Sequence, residues 1–433
     1  MCHSDVKGRR IHDSRIYRTP FPFEPRHIQG APSMIYADIT EFVSNPVGTG
    51  IQRTVREIFL HWPDALMACY FDRTGNALRK LPTAAFASAF DDDITKSTEE
   101  KAANAAEIMA RLPGELVSDD DLILIPEVFY DPSRIAFYRE RLDANPAKTA
   151  AIVYDILPWT HPELFGIKDM SPFEAYFRLI FSMAYTAHIS QETKESYERY
   201  AGSRPWPLPV LHLGADGIII ERQHFHPSRK SFVCLGSIEE RKRQIDILRA
   251  FQRLWDTDVP AELVFVGRNT AHTNAALPRM VKELSASVPY FHHYESASDD
   301  EVAKLLSSAR ATIAASTVEG YGLPAIESLY AGIPVIVSET MPSTRRLPET
   351  GQIRFRPKSP DQIANAVKSM LDDAEAERVW KQAAAADLPV WRDTAMQVHD
   401  WIMQIWLTHQ AIDTKRSFTA EKSAQQWLSE IAS

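Results

Sequence analysis

The stretch from Ala311 to Ser338, A-T-I-A-A-S-T-V-E-G-Y-G-L-P-A-I-E-S-L-Y-A-G-I-P-V-I-V-S, constrains this chain more than any other. An apolar run ends at Thr317, and a loop follows with Glu319, Gly320, Tyr321 and Gly322. Pro324 then opens a short helix, Gly332 closes it, and Ile333 to Val337 form a second apolar run. Proline just inside a helix start and glycine just past its end are the usual punctuation. Strand, loop, helix and strand in so few residues read as a βαβ unit of a parallel sheet. Such sheets bind ligands beyond the carboxyl ends of their strands, where this loop falls.

The same alternation runs through the rest of the sequence. Strands are expected at 34–38, 65–70, 122–125, 150–154, 188–190 and 210–213, then at 232–236, 263–266 and 333–337. Helices are expected at 51–61, 173–185, 245–255 and 299–308, with an Ala-rich helical insertion across 91–111. This is doubly wound α/β patterning, and no short fixed repeat points to a solenoid. At 433 residues the chain is long for one domain. The expected division is an arm at 1–32, a first Rossmann-like domain at 33–224, a second at 225–390 and helices across 391–433.

Charge and cysteine usage exclude several classes. A net charge of −9 argues against a nucleic-acid partner held by phosphate neutralisation. Cys2, Cys69 and Cys234 are scattered, so neither a disulfide framework nor a metal site follows from them. No apolar run approaches the length of a membrane span, and the N-terminus lacks the apolar core of a signal peptide. A cytoplasmic protein is the expectation. The arm carries Lys7, Arg9, Arg10, Arg15, Arg18 and Arg26 against Asp5, Asp13 and Glu24. It could meet the anionic surface of the inner membrane, and it is equally compatible with a solvated leader.

The spacing E-x7-E between Glu319 and Glu327, with G-Y-G-L-P inside it, resembles the signature of the family 4 glycosyltransferases. These are retaining enzymes of GT-B fold: two Rossmann-like domains face a cleft, and C-terminal helices cross back to the first. The resemblance implies a nucleotide-sugar donor, GDP- or UDP-linked, and no cofactor. Its physical logic holds here. Backbone N–H groups of Gly320, Tyr321, Gly322 and Leu323, with a helix N-terminus behind them, can hold phosphate or sugar oxygens. Each carboxylate can accept two hydroxyl hydrogens. By resemblance, Glu319 holds hydroxyls of the transferred sugar and Glu327 those of the ribose. Without the flanking glycines and strands, Glu327 would read as a helix salt-bridge residue and Glu319 as a solvated loop residue.

Three further segments extend the likeness. L-G-S-I-E-E-R-K-R-Q follows an apolar strand and resembles the family's T-x-E-P-R-K-N loop, which places Gly236, Ser237, Arg241 and Lys242 against the donor diphosphate. Departure of a sugar leaves negative charge on that diphosphate, so cations there stabilise the transition state. Glu240 stands for the usual proline, Arg243 for asparagine, and Ser237 where many relatives place arginine. N-P-V-G-T-G-I-Q-R occupies the position of the family's Gly-rich cleft loop, with Gly48, Gly50 and Arg53; glycine permits close backbone approach. V-Y-D-I-L-P resembles the segment V-H-D-L-I-P, which puts Asp155 on the cleft side of a strand end and Tyr154 where relatives carry a donor-touching histidine. Gly267 and Arg268, after L-V-F-V, fall where the family holds the nucleotide base.

No metal is expected. Asp91 and Asp93 lie in an acidic run, Asp119 and Asp121 precede a strand, and His292 and His293, adjacent on a strand, point to opposite faces. The sequence therefore reads as a retaining hexosyltransferase acting on a glycan or lipid-linked saccharide acceptor, mannose or a deoxyhexose being the favoured sugar. A GT-B epimerase and a silent glycan-binding subunit remain open at this point.

Overall fold

The computed structural model describes residues 34–63, 66–91, 96–218, 220–270 and 276–408. The basic arm at 1–32, Asp93 and the part of the expected C-terminal helices beyond residue 408 lie outside the described residues.

Chain order gives β1 (Ile35–Asp38), β2 (Met67–Asp72), β3 (Ala77–Lys80), β4 (Leu122–Ile125), β5 (Thr149–Val153) and β6 (Tyr185–His188). Then come β7 (Ser231–Leu235), β8 (Glu262–Val266), β9 (Phe291–Tyr294), β10 (Ala309–Ala314), β11 (Val335–Ser338) and β12 (Gln352–Phe355). Among the described residues these form two six-stranded sheets, ordered β3-β2-β1-β4-β5-β6 and β12-β11-β10-β7-β8-β9. Read from its own first strand, each sheet has the order 3-2-1-4-5-6 of a dinucleotide-binding fold. All pairings are parallel except β2 with β3, which is antiparallel. In each sheet the order reverses between the first and fourth strands: β1 beside β4, and β7 beside β10.

Helices cover both faces of both sheets, and this explains the composition of the strands. Every residue of L-I-L-I in β4, T-A-A-I-V in β5 and V-I-V-S in β11 is buried. Strands closed on both faces lose the polar–apolar alternation and become continuous apolar runs. The cores divide accordingly. Phe232, Val264, Phe265, Leu248 and Phe251 centre the second half, while Ile123, Ile125, Tyr138, Phe177 and Ile180 centre the first.

A third core joins the halves. The helix at 391–408 lays Val398, Trp401, Ile402 and Ile405 against Leu122, Leu124, Ala150 and Ile152 of the first sheet, and Tyr321 and Ile326 enter the same cluster from the second. The C-terminal helix thus returns to the first half, as the resemblance implied. In the connecting segment Leu211, Leu213 and Ala215 pack in that joint, whereas Ile218 and Ile220 pack on the second core. Along this segment the change of core falls between Ala215 and Ile218.

Several elements shift or appear. The expected strand at 65–70 is Met67–Asp72, and the one at 188–190 is Tyr185–His188. Val210 to Leu213 makes only an isolated bridge, His188 to Val210. Pro207 and Pro209 sit just before it, and proline cannot donate to a ladder. Within the insertion expected at 91–111 the helix runs Thr98–Arg111, opened by a Ser97–Glu100 capping box, and a further helix, Thr83–Ala89, precedes it.

Candidate active site

The turn after β7 is built around Gly236, whose φ of +116° is left-handed territory that suits glycine. A Cβ there would stand 2.7 Å from Lys242 Nζ, so the missing side chain is what admits the lysine. Gly267, at the end of β8, presses directly on the Gly236 carbonyl. Residues Glu240–Lys242 form a single 3-10 turn, and Arg243, at φ +56°, precedes the helix Gln244–Trp255. Arg241 and Lys242 therefore lie before that helix rather than in its first turn, which removes the conflict between basic charge and a helix N-terminus.

Lys242 Nζ reaches Ser237 Oγ at 3.4 Å and is largely enclosed. Burial, with Arg241 beside it, holds its pKa below the ordinary lysine value. Arg241 pairs through Nε with Glu239 at 2.7 Å and through Nη1 with Glu319. Burial would raise Glu239, but Arg241 and Lys242 together keep it below the usual carboxylate range. A hydrogen bond from the Thr317 amide to the Arg241 carbonyl, 2.9 Å, ties this turn to the signature loop after β10. Lys242 and Glu319 line one cavity with Ser316 and Gln244, between the ends of β7 and β10. That is the second sheet's point of strand-order reversal.

The signature loop is gripped from both sides. Gly322, at φ +97°, leaves no space for a side chain against Met341, and its carbonyl accepts from Ser343 Oγ at 2.9 Å. Gly320 meets the first half: a Cβ on it would lie 2.8 Å from the Tyr154 carbonyl and 2.9 Å from Asp155 Oδ2. Asp155 accepts the Leu157 amide at 3.0 Å through its other oxygen. Burial raises its pKa, against the Leu157 amide and Arg241, which lower it. Asp155, Gly320, Arg241, Glu319 and Lys242, drawn from three distant segments, thus come together across the cleft.

Other expected positions have different surroundings. The Tyr154 hydroxyl turns into the core and donates to the Pro126 carbonyl at 2.6 Å, leaving only its backbone toward the loop. The Tyr321 hydroxyl donates to the Leu213 carbonyl at 3.1 Å, tying the halves together. Gly50 packs on Leu323, 3.3 Å from a built Cβ to Cδ1, whereas a Cβ on Gly48 would meet nothing within 4 Å. Glu327 is buried and pairs with Arg53 of the first half. Arg268 is exposed, and its carbonyl accepts the Ile238 amide at 2.8 Å. Among the described residues no His, Cys, Asp or Glu group is placed to hold a metal. Asp121 caps the Met34 and Ser118 amides at the entry to β4, away from the cleft. His292 faces Glu262 while His293 contacts the Gly267 carbonyl.

Sequence reasoning gave no role to Glu239, Phe165 or Thr193. Glu239 stands inside the quoted loop, one carboxylate among several charges. The Phe165 ring lies 5.8 Å below the Arg241 guanidinium, a cation–π contact no local pattern announces. Thr193 Oγ1 reaches the carbonyls of Tyr154 and Gly320, at 3.2 and 3.4 Å, yet S-Q-E-T reads only as a helix cap.

Two sheets of the same 3-2-1-4-5-6 order, closed over a cleft by a returning helix and carrying a lysine–arginine turn at one reversal point, define a protein of GT-B fold. Residues 218–387, the part of the chain that carries the lysine–arginine turn and the signature loop, match the family "Glycosyl transferases group 1". The serotype-specific mannosyltransferase WbdA of Escherichia coli is 26% identical over 334 residues, which cover 67% of this chain and 40% of that protein. The chain thus spans about two fifths of that relative's length. A GDP-mannose-dependent α-(1-6)-phosphatidylinositol dimannoside mannosyltransferase of Mycobacterium tuberculosis is 30% identical over 180 residues, 39% of this chain and 45% of its own. Among solved structures, Anabaena HepE in complex with UDP and glucose superposes with a TM-score of 0.59 at 13% identity, covering 86% of this chain and 100% of that one. The α,α-trehalose-phosphate synthase of Burkholderia xenovorans reaches 0.53 at 14% identity, covering 86% and 100%. At those identities the likeness is one of fold.

Proposed function

We propose that this protein is a retaining glycosyltransferase that moves a hexose, mannose foremost, from a GDP- or UDP-linked donor to a hydroxyl of a glycan or lipid-linked saccharide in surface polysaccharide synthesis. The observation that carries the reading is the meeting of Lys242, Arg241 and Glu319 at the reversal point of the second sheet, with Asp155 facing them from the first. The names of the relatives favour mannose and GDP. Peripheral contact with the inner membrane would bring the protein to a lipid-linked acceptor, and no nucleic acid takes part.

In this reading the diphosphate lies on the Gly236–Ser237 turn and the amides of Gly320 to Leu323. Lys242 and Arg241 stabilise the charge that gathers on the phosphate as the anomeric carbon–oxygen bond breaks. The acceptor oxygen forms its bond on the face the phosphate leaves, and the acceptor proton passes to the departing phosphate oxygen. Configuration is kept without a covalent intermediate, and positioning and electrostatics supply most of the rate. Asp155 orients hydroxyls at the seam. Glu319 holds the transferred sugar and Glu327 the ribose. Glu327→Gln is then expected to weaken nucleoside diphosphate binding, and Glu319→Gln to lower turnover with little effect on it. Calorimetry with the nucleoside diphosphate separates the two, and an equal loss in both variants refutes this division.

The deciding experiment screens nucleotide sugars by nucleotide release and then determines the anomeric configuration of the first-formed product by NMR, with excess chelator present. Retention at undiminished rate is expected. An inverted linkage, or activity abolished by chelator, overturns the reading.

A further inference from the structure

We propose that Arg53 is a positioning residue for the donor's ribose: from the first half of the molecule it fixes the Glu327 carboxylate that the ribose meets in the second. This rests on the reading of Glu327 as the ribose ligand. Arg53 sits in the first turn of the helix Gly50–His61, directly after the glycine loop, and its Nη1 reaches Glu327 Oε1 across 274 positions of sequence. Glu327 is only 4% exposed, and a buried charge of this kind needs a hydrogen-bonded partner of opposite sign. Among the described residues Arg53 is the cation that supplies it.

The meeting point has been kept clear. A Cβ on Gly217, in the segment that crosses between the halves, would stand 2.5 Å from Glu327 Oε1, 2.8 Å from Arg53 Nη1 and 3.1 Å from Trp391 Nε1. Any side chain at 217 would push the pair apart. The Trp391 indole N–H is buried, has no hydrogen-bond partner among the described residues and lies near the same point. Arg53 therefore donates to Oε1, while Oε2 accepts from none of the described residues. An oxygen so placed is available to ribose hydroxyls as long as the carboxylate stays charged, because the protonated acid would donate where it must accept. Burial works against the charged form, and Asp216 and Asp299 add to that effect; Arg53 is the group that opposes them.

A simple structural clip between the halves would show the same ion pair, so the test must read the ribose itself. Calorimetry would compare GDP with 2′,3′-dideoxy-GDP, and UDP with its dideoxy form, on wild type, Arg53→Gln, Arg53→Lys and Gly217→Ala. Wild type is expected to prefer the ribose form by about tenfold or more, as for hydroxyls bound to a charged acceptor. Arg53→Gln should erase most of that preference while leaving dideoxy binding unchanged. Arg53→Lys should recover part of it, and Gly217→Ala should mimic Arg53→Gln with both charges still present. Equal weakening of both forms in Arg53→Gln, or an undiminished preference, overturns the proposal and leaves Arg53 a clip. A wild type that does not distinguish the two forms, or binds none of these nucleotides, removes the ribose role of Glu327 and with it that of Arg53.

Discussion

Lys242→Ala is expected to lower turnover by about a hundredfold or more, the usual cost of one preorganised electrostatic stabiliser. The lysine is the less compensated cation of its turn. Arg241 is already matched by Glu239 and Glu319, whereas Lys242 has a hydroxyl, Ser237 Oγ, as its hydrogen-bond partner. A diphosphate arriving at Gly236 supplies the missing counter-charge. The pH dependence has a definite sign. Because burial and Arg241 lower the lysine's pKa, raising the pH strips its proton earlier than from a free lysine. The basic limb of kcat/KM, which reports the free enzyme, should accordingly fall below the ordinary lysine value of 10.5. In Lys242→Arg that limb should move beyond the accessible range, since arginine keeps its proton. A folded Lys242→Ala protein with near wild-type turnover would remove Lys242 from the machinery.

Arg134→Met is expected to cost about 3–5 kcal/mol of stability, the range for leaving a buried charge without its partner. Arg134 is wholly buried under the cleft loop. Its guanidinium bonds Asp38 at 2.7 Å and Glu127 at 2.8 Å, and stacks 4.0 Å from the Phe129 ring centre. Asp38 also accepts from Tyr138 at 2.5 Å, and Glu127 receives the Glu41 and Phe42 amides at 2.8 and 3.0 Å. Glu127 thus caps the short helix Thr40–Ser44 that leads into the Gly48–Gly50 loop. Burial pushes the Glu127 carboxyl up to about 7, with Arg134 pulling it down. A folded-state pKa raised above 4.5 means that the native state holds the extra proton, so this group's contribution is present at low pH and lost as pH rises toward 7. Removing Arg134 raises that pKa further. The deficit of Arg134→Met against wild type should therefore shrink between pH 7 and pH 5, and Glu127→Gln in the same background should restore part of it. Denaturant titrations at both pH values check this; a deficit under about 1 kcal/mol would show that the cluster is not what holds the loop.

What the sequence disclosed follows from range. Local signals located elements well where they were dense: 122–125 and 299–308 are bounded as expected, the first by a run of four apolar residues and the second by Ser298 capping Glu301. Weak strands escaped. β3 is A-L-R-K, with Leu78 its one buried residue, and β12 is Q-I-R-F; as edge strands they need few apolar residues. The turn Gly236 to Lys242 and the loop Glu319 to Leu323 were legible because their chemistry sits within a few residues of one strand end. The pairings Arg134 with Asp38 and Arg53 with Glu327 were not, being 96 and 274 residues apart and set by which strands become neighbours. The two reversal points also differ in a way that strand order alone does not announce. In the first sheet the Arg134 cluster fills the space where β1 and β4 diverge, and in the second Lys242 faces a cavity.

The chain leaves the first sheet through Leu213 to Asp216 and comes back through Pro389 to Trp391, and these two passes touch. The Ala215 amide donates to the Pro389 carbonyl at 2.8 Å, and Asp216 accepts the Trp391 amide at 2.7 Å. Everything between them, the second sheet with its helices, is therefore inserted into the first half like a guest whose entrance and exit share one doorway. A host with so narrow an opening can be resealed. A chain joined from about residue 215 to residue 389 would keep both the first sheet and the helix that covers it, and would present the cleft face of that half alone.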